Sequence, residues 1–330
     1  MKYTQAEKME IIRMVEGSDR SVRQTLRELG ISPSTFYAWY KRYQREGYEG
    51  LAEHSSCPRQ TWNRIPTEVR DLVVERALEY PDKSPRQLAW YIVDNEGYYI
   101  SESSVYRILK TNDLITSPVY QIVSAGKEFE QKTTHVHEMW QTDFTQLKVV
   151  NWGWYYLCTI LDDYSRYIIT WRLSTTMGAE DIIQTLDLAR EKAGLEEPIR
   201  VKHRPRLLSD NGSAFISNDL KDYIKQHHLV HIRGAVYHPQ TQGKIERWHR
   251  SMKNVVKLDH YYFSWELEFA IGAFVDYYNH QRYHESLDNL TPADVYLGRD
   301  EEIKQQREET KRRTLRYRRQ HHFQQMAVSL

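Results

Sequence analysis

The chain has 330 residues, with 46 Lys and Arg against 45 Asp and Glu, a formal net charge of +1 and 40% hydrophobic residues. That length supports two or three domains with real cores, and the near-neutral balance makes the placement of charge more informative than its total. Only Cys57 and Cys158 are present, which excludes a disulfide framework; with no membrane-length apolar run and no apolar core after Met1-Lys2-Tyr3-Thr4, a cytoplasmic protein is expected.

Residues 1–52 read as a helix-turn-helix. Ser21 is placed to cap one helix, Gly30 supplies the turn, and Ser32 caps the next helix with Pro33 at its first position. Val22, Leu26, Leu29, Ile31, Phe36 and Trp39 are spaced to pack those helices on each other and on Ile11, Ile12 and Val15. Ser34, Thr35 and Tyr37 would then face a major groove of double-stranded DNA, with Lys41 and Arg42 near phosphates. A three-helix packing unit that binds no DNA is the plainer alternative. A polar linker, 53–64, leads to a second all-α helix-turn-helix module over 65–127. Its helices are predicted from Pro66 to Tyr80, from Ser84-Pro85 to Asn95, and from Ser101 to Asn112 with Val105, Ile108 and Leu109 inward. Arg86, Arg107 and Lys110 are its candidates for DNA-backbone contact.

An α/β domain is expected over 128–298. Strands are predicted near 139–149, 154–162 and 167–174, the first two joined at Asn151-Trp152-Gly153. A helix over Ala179–Ala193 and a strand near 204–209 follow. Next come a helix over Asn218–His227 with Asp219 and Lys221 outward, a short strand at Val230-His231-Ile232, and helices near 244–258 and 264–279. Three antiparallel strands followed by alternating helix and strand give a mixed sheet flanked by helices. Residues 299–330 are expected as a basic C-terminal tail, where Lys311-Arg312-Arg313-Thr314-Leu315-Arg316-Tyr317-Arg318-Arg319 suits a phosphate grip or a solvated face.

Three carboxylates in this domain carry the chemistry. Asp143 lies in Met139-Trp140-Gln141-Thr142-Asp143-Phe144-Thr145, whose alternation aims it off one face of a strand. Asp210 follows Leu207-Leu208-Ser209 and precedes Asn211-Gly212, which puts it at a strand tip beside a turn. Glu246 falls where His238-Pro239-Gln240-Thr241-Gln242-Gly243-Lys244 breaks into a helix; on that helix Gln242, Glu246, His249, Arg250 and Lys253 share one face. Transfer of a phosphodiester needs neutralisation of the attacking, leaving and non-bridging oxygens. Two Mg²⁺ ions held by a few carboxylates supply it. Gln242, Lys244, His249, Arg250 and Lys253 would hold DNA beside such a site; ordinary charge pairing on a solvated face is the alternative for Arg250 and Lys253. The Pro-Gln-Thr-Gln-Gly stretch is expected to order only with DNA and metal, or else to be a plain connection. Asp162-Asp163 is read as turn chemistry with an Arg166 ion pair, and His135 and His137 as linker histidines.

The blocks Trp140-Gln141-Thr142-Asp143, Ser209-Asp210-Asn211-Gly212 and His238 to Arg247 resemble the signatures of insertion-sequence transposases related to retroviral integrases. As in that family, 35 residues separate Asp210 from Glu246, and Lys253 stands seven positions after the Glu. The resemblance runs from about Val136 to Pro292. It implies an RNase H-like catalytic domain in which Asp143, Asp210 and Glu246 are the catalytic, metal-binding triad. Asp143 and Asp210 would hold one Mg²⁺, Asp143 and Glu246 the other, with Mn²⁺ as substitute. It also implies cleavage at the ends of a mobile element to free 3′-hydroxyls, their transesterification into target DNA, a homo-oligomer bridging two ends, and a bacterial cytoplasm. The chain departs from integrases that carry a His-His-Cys-Cys zinc module, since no such spacing occurs. Two alternatives are a related nuclease that cuts without joining and a DNA-binding repressor without catalysis. The block His280, Arg282, Tyr283 and His284 resembles a recurrent family block and is expected to pack or touch DNA.

Overall fold

The structure is a computed structural model describing residues 3–52, 62–115, 133–149, 152–195, 204–233, 243–256 and 261–328. It divides into two compact units, 1–64 and 65–330.

In the first unit, α1 (Gln5–Glu16), α2 (Val22–Glu28) and α3 (Pro33–Glu46) are followed by a 3-10 turn over Gly47–Leu51. Thr4 caps α1 through a reciprocal box with Glu7. Ser21 and Ser32 occupy the expected cap positions of α2 and α3 without closing a side-chain bond to the helix; Ser32 Oγ instead meets Ser34 Oγ at 2.7 Å. Ile11, Ile12, Val15, Leu26, Ile31, Phe36, Trp39 and Leu51 form the core. Leu29, expected inward, is exposed. It lies just past the last turn of α2, and Gly30, at φ +68°, turns the chain there.

The second unit opens with α4 (Thr67–Glu79), α5 (Pro85–Asn95) and α6 (Glu102–Thr111), close to the predicted bounds. Val73, Leu88, Ile92, Val105 and Leu109 make their core. The five-stranded sheet comprises β1 (Met139–Val149), β2 (Gly153–Asp162), β3 (Ile168–Ser174), β4 (Arg206–Ser209) and β5 (Val230–Arg233), in the order β3-β2-β1-β4-β5. The first three pair antiparallel, whereas β1–β4 and β4–β5 are parallel. The crossovers are α7 (Ala179–Lys192) and α8 (Asn218–Gln226); α9 (Gly243–Val256) and α10 (Ser264–His280) follow. Alternation along β1 divides the core in two. Trp140 joins Ile160, Ile182, Leu186, Leu207 and Leu220 toward α7 and α8, while Leu147 and Val149 join Leu157, Trp248, Ile271 and Phe274 toward α9 and α10. The side chain of buried Asn279 covers the outer edge of β3, accepting from Ile168 N at 2.9 Å and donating to Ile168 O at 3.0 Å.

The expected basic tail is not a tail. After α11 (Pro292–Tyr296), residues Asp300–Val328 form the helix α12. Among its described side chains the buried ones are polar: Arg307, Thr314 and Arg318. Arg307 forks onto Asp94 of α5 at 2.8 and 2.7 Å, Tyr99 N donates to Thr314 Oγ1 at 3.0 Å, and Arg318 donates to Tyr99 O at 2.7 Å. The helix therefore docks on the α4–α6 module through guanidinium groups. Tyr283 donates to the same Asp94 at 3.0 Å, and His284 stacks edge-on against Tyr278.

Candidate active site

The register of β1 with β4 sets the first two acids. The last paired positions are Gln141 and Leu208; Asp143 lies two residues further along, still within β1, and Asp210 two residues further along, just past the end of β4, where neighbouring strands run about 4.8 Å apart. Two residues restore strand parity, so Asp143 leaves the same face as Gln141, toward α9. There Asp143 Oδ2 stands 3.4 Å from His249 Nδ1, and its Oδ1 accepts from Phe144 N at 2.8 Å. Asp210 is exposed, and its Oδ1 accepts from Gly212 N at 2.9 Å. A Cβ at position 212 would lie 3.0 Å from that oxygen, a tight contact that would shift the carboxylate by a few tenths of an ångström. Ser209 Oγ, braced at 2.7 Å by His231 Nε2 of β5, bonds Asp210 O at 2.9 Å and fixes the strand tip.

Glu246 is exposed on the first turn of α9, which packs on β1. Among the described residues no three His, Cys, Asp or Glu are gathered closely enough to hold a metal. The donor types nevertheless suit a hard divalent cation: three carboxylates, one within β1 and one just past the end of the adjacent β4. A soft-ligand site is not offered by Cys158, which is buried with its thiol pushed up to about 12.

Several expected DNA contacts lie elsewhere than their spacing suggests. His249, expected on the open face with Glu246, is buried, because α9 turns it onto Asp143. Lys244 donates to Asp163 Oδ2 at 2.8 Å and to Asp163 O at 2.9 Å, so its ammonium is committed within the protein. Arg250 is exposed and Lys253 half-buried, while Gln242 and the Pro-Gln-Thr-Gln part of the loop lie outside the described residues. In the first unit Ser34, Thr35, Tyr37 and Lys41 are exposed along α3, and Arg42 is half-buried with its Nε on Ala38 O at 3.2 Å. Arg86 pairs with Glu285 at 2.5 Å, away from the backbone-contact role expected for it.

The paired acids after β2 have internal roles. Burial lifts the Asp162 carboxyl above its ordinary range, against bonds donated by Ser165 N and Oγ and by His137 N. Asp163 accepts from Gln141 Nε2 and Thr133 Oγ1, each at 2.7 Å, as well as from Lys244. Gln141, buried on β1, is tied to Asp163 in a way the sequence does not reveal. Its one visible signal is a polar side chain at the same strand parity as Asp143.

The sequence matches an integrase core domain over residues 133–239 and a further integrase core domain over 227–292, with homeodomain-like domains over 2–52 and 35–109. It is 25% identical over 269 residues to the transposase for transposon Tn552 of Staphylococcus aureus, spanning 74% of this chain and 55% of that protein. The transposase for insertion sequence element IS629 of Shigella sonnei is 24% identical over 284 residues, 81% of this chain and 88% of the relative. The HTLV-2 integrase catalytic core domain in complex with magnesium aligns at 20% identity and a TM-score of 0.39, over 49% of this chain and 97% of that one. The class is thus an integrase core preceded by DNA-binding-type helical domains. The chain carries an integrase core domain, and the relatives it resembles over most of its length are named as transposases.

Proposed function

We propose that this protein is a DNA transposase that binds the ends of its element, cleaves to free 3′-hydroxyls and joins them to target DNA. The observation that supports this is the register that sets Asp143, within β1, level with Asp210, just past the end of the neighbouring parallel strand β4, with the Glu246 helix packed on β1. Divalent ions, two of them and Mg²⁺ or Mn²⁺ by kind, would supply charge neutralisation on the phosphate oxygens when bound. Asp143 and Asp210 would hold one and Asp143 and Glu246 the other. His249 orients Asp143 from behind. Arg250 and Lys253, farther along the Glu246 helix, would meet phosphates, and Ser34, Thr35 and Tyr37 of the first unit would read element ends in duplex DNA with Lys41 and Arg42 near its phosphates. No covalent enzyme intermediate is required: a 3′-hydroxyl attacks the target phosphorus, the target's 3′-oxygen leaves, and one phosphodiester replaces another. Bridging two ends calls for a homo-oligomer on DNA.

The test is a strand-transfer assay on end-containing duplexes with Mg²⁺. Joined products are expected. Cleaved products that never join would leave a nuclease.

A further inference from the structure

We propose that Asp163, Gln141 and Lys244 form a clamp that sets where Glu246 stands, which makes them positioning residues for strand transfer; this rests on the reading of Glu246 given above. The first four N–H groups of a helix lack intrahelical partners. At the start of α9 one of them, Ile245 N, donates to Gln141 Oε1 at 3.1 Å. Gln141 lies two residues before Asp143 on β1, and Ile245 immediately precedes Glu246. A single side chain thus ties the strand bearing one acid to the helical turn bearing another.

Asp163 holds that tie in place. Its side chain is 4% exposed and receives Gln141 Nε2 and Thr133 Oγ1 at 2.7 Å each and Lys244 Nζ at 2.8 Å. Gln141 cannot rotate its amide without facing Ile245 N with an NH₂ group and Asp163 with an oxygen, so the carboxylate fixes the amide's sense. Lys244 adds a second link from the same turn to Asp163, and a buried anion next to a helix N-terminus is favoured by the helix dipole. Asp163 is too buried to touch DNA, so its effect on the reaction must pass through α9. A staple for the fold alone would need neither the amide's sense nor the link to the Glu246 turn.

The test compares the full-length parent with Asp163→Asn and with the swap Gln141→Glu/Asp163→Asn. In the swap the new amide at position 163 donates to the new carboxylate at position 141, which still accepts from Ile245 N. For Asp163→Asn, amide hydrogen exchange at Ile245 should quicken about tenfold, with α7 amides as the unchanged control. Joining kcat should fall roughly a hundredfold with end-binding Kd unchanged. The swap should restore both. Gln141→Leu, which leaves Asp163 paired with Thr133 and Lys244, gives the same exchange readout should Asp163→Asn not fold. Unaltered exchange at Ile245 in the single variants overturns the clamp, as does a swap that restores neither readout. Exchange does not depend on joining, so quickened exchange in a protein that never joins DNA would support the clamp while removing the transposase reading.

Discussion

Replacing Arg307 by Leu should loosen α12 from the α4–α6 module. The Arg307 side chain is 8% exposed, forks onto Asp94 at 2.8 and 2.7 Å, donates to Asn289 O at 3.0 Å, and lies over the Trp90 ring at 4.5 Å. Breaking a fully buried pair costs about 3–5 kcal/mol and an exposed one under about 1 kcal/mol. Asp94 is 23% exposed, which places this pair between those limits, at about 2–3 kcal/mol. For a unit of this size that corresponds to a fall in Tm of roughly 4–12 °C, measurable by calorimetry. Asp94→Leu alone should be comparably harmful, whereas Arg307→Leu/Asp94→Leu should recover part of the loss, since no charge is left unpaired. A Tm change below about 1 °C for Arg307→Leu, or strictly additive losses in the double variant, would refute the role given to this fork.

Other expectations follow from single contacts. Gly212→Ala should shift the Asp210 carboxylate slightly, because the new Cβ would meet Oδ1 at 3.0 Å; joining should fall by roughly threefold with Tm little changed, and unchanged joining would contradict it. Burial and neighbouring arginines lower the pKa of His284 from 6.5 to about 3. Between those values the unfolded chain binds a proton that the folded chain refuses, so stability rises with pH across that window and is lost as pH falls through it. Urea midpoints from about pH 7 to about pH 4 should therefore drop less for His284→Phe than for the parent, and equal drops would remove His284 as the cause. Ca²⁺ in place of Mg²⁺ should preserve end binding and suppress joining, because its longer, looser coordination misplaces the oxygens; joining in Ca²⁺ at the Mg²⁺ rate would contradict this.

Much of the sheet was legible because its strands carry period-two patterns and its helices carry caps and breakers. Met139–Val149 and Ala179–Lys192 fall within a residue of expectation for that reason. Asp143 and Asp210 stood out through strand parity and the Asn211-Gly212 turn. The docking of α12 was hidden because its buried face is polar, and Arg307 meets a partner 213 residues away, which no local pattern encodes. Lys244 and His249 were misplaced for a related cause. A charged residue on an amphipathic helix looks solvent-facing until a buried partner such as Asp163 or Asp143 is known. Leu29 failed in the opposite sense: its spacing is right for a core, but the helix ends before it.

The most direct measurement is an anomalous-scattering map of the protein crystallised with Mn²⁺ and an element-end duplex. The account predicts peaks within about 2.2 Å of carboxylate oxygens of Asp143, Asp210 and Glu246, with Asp143 shared. Well-ordered ions at the scissile phosphate held by other side chains, with any of these three acids turned away, would contradict it.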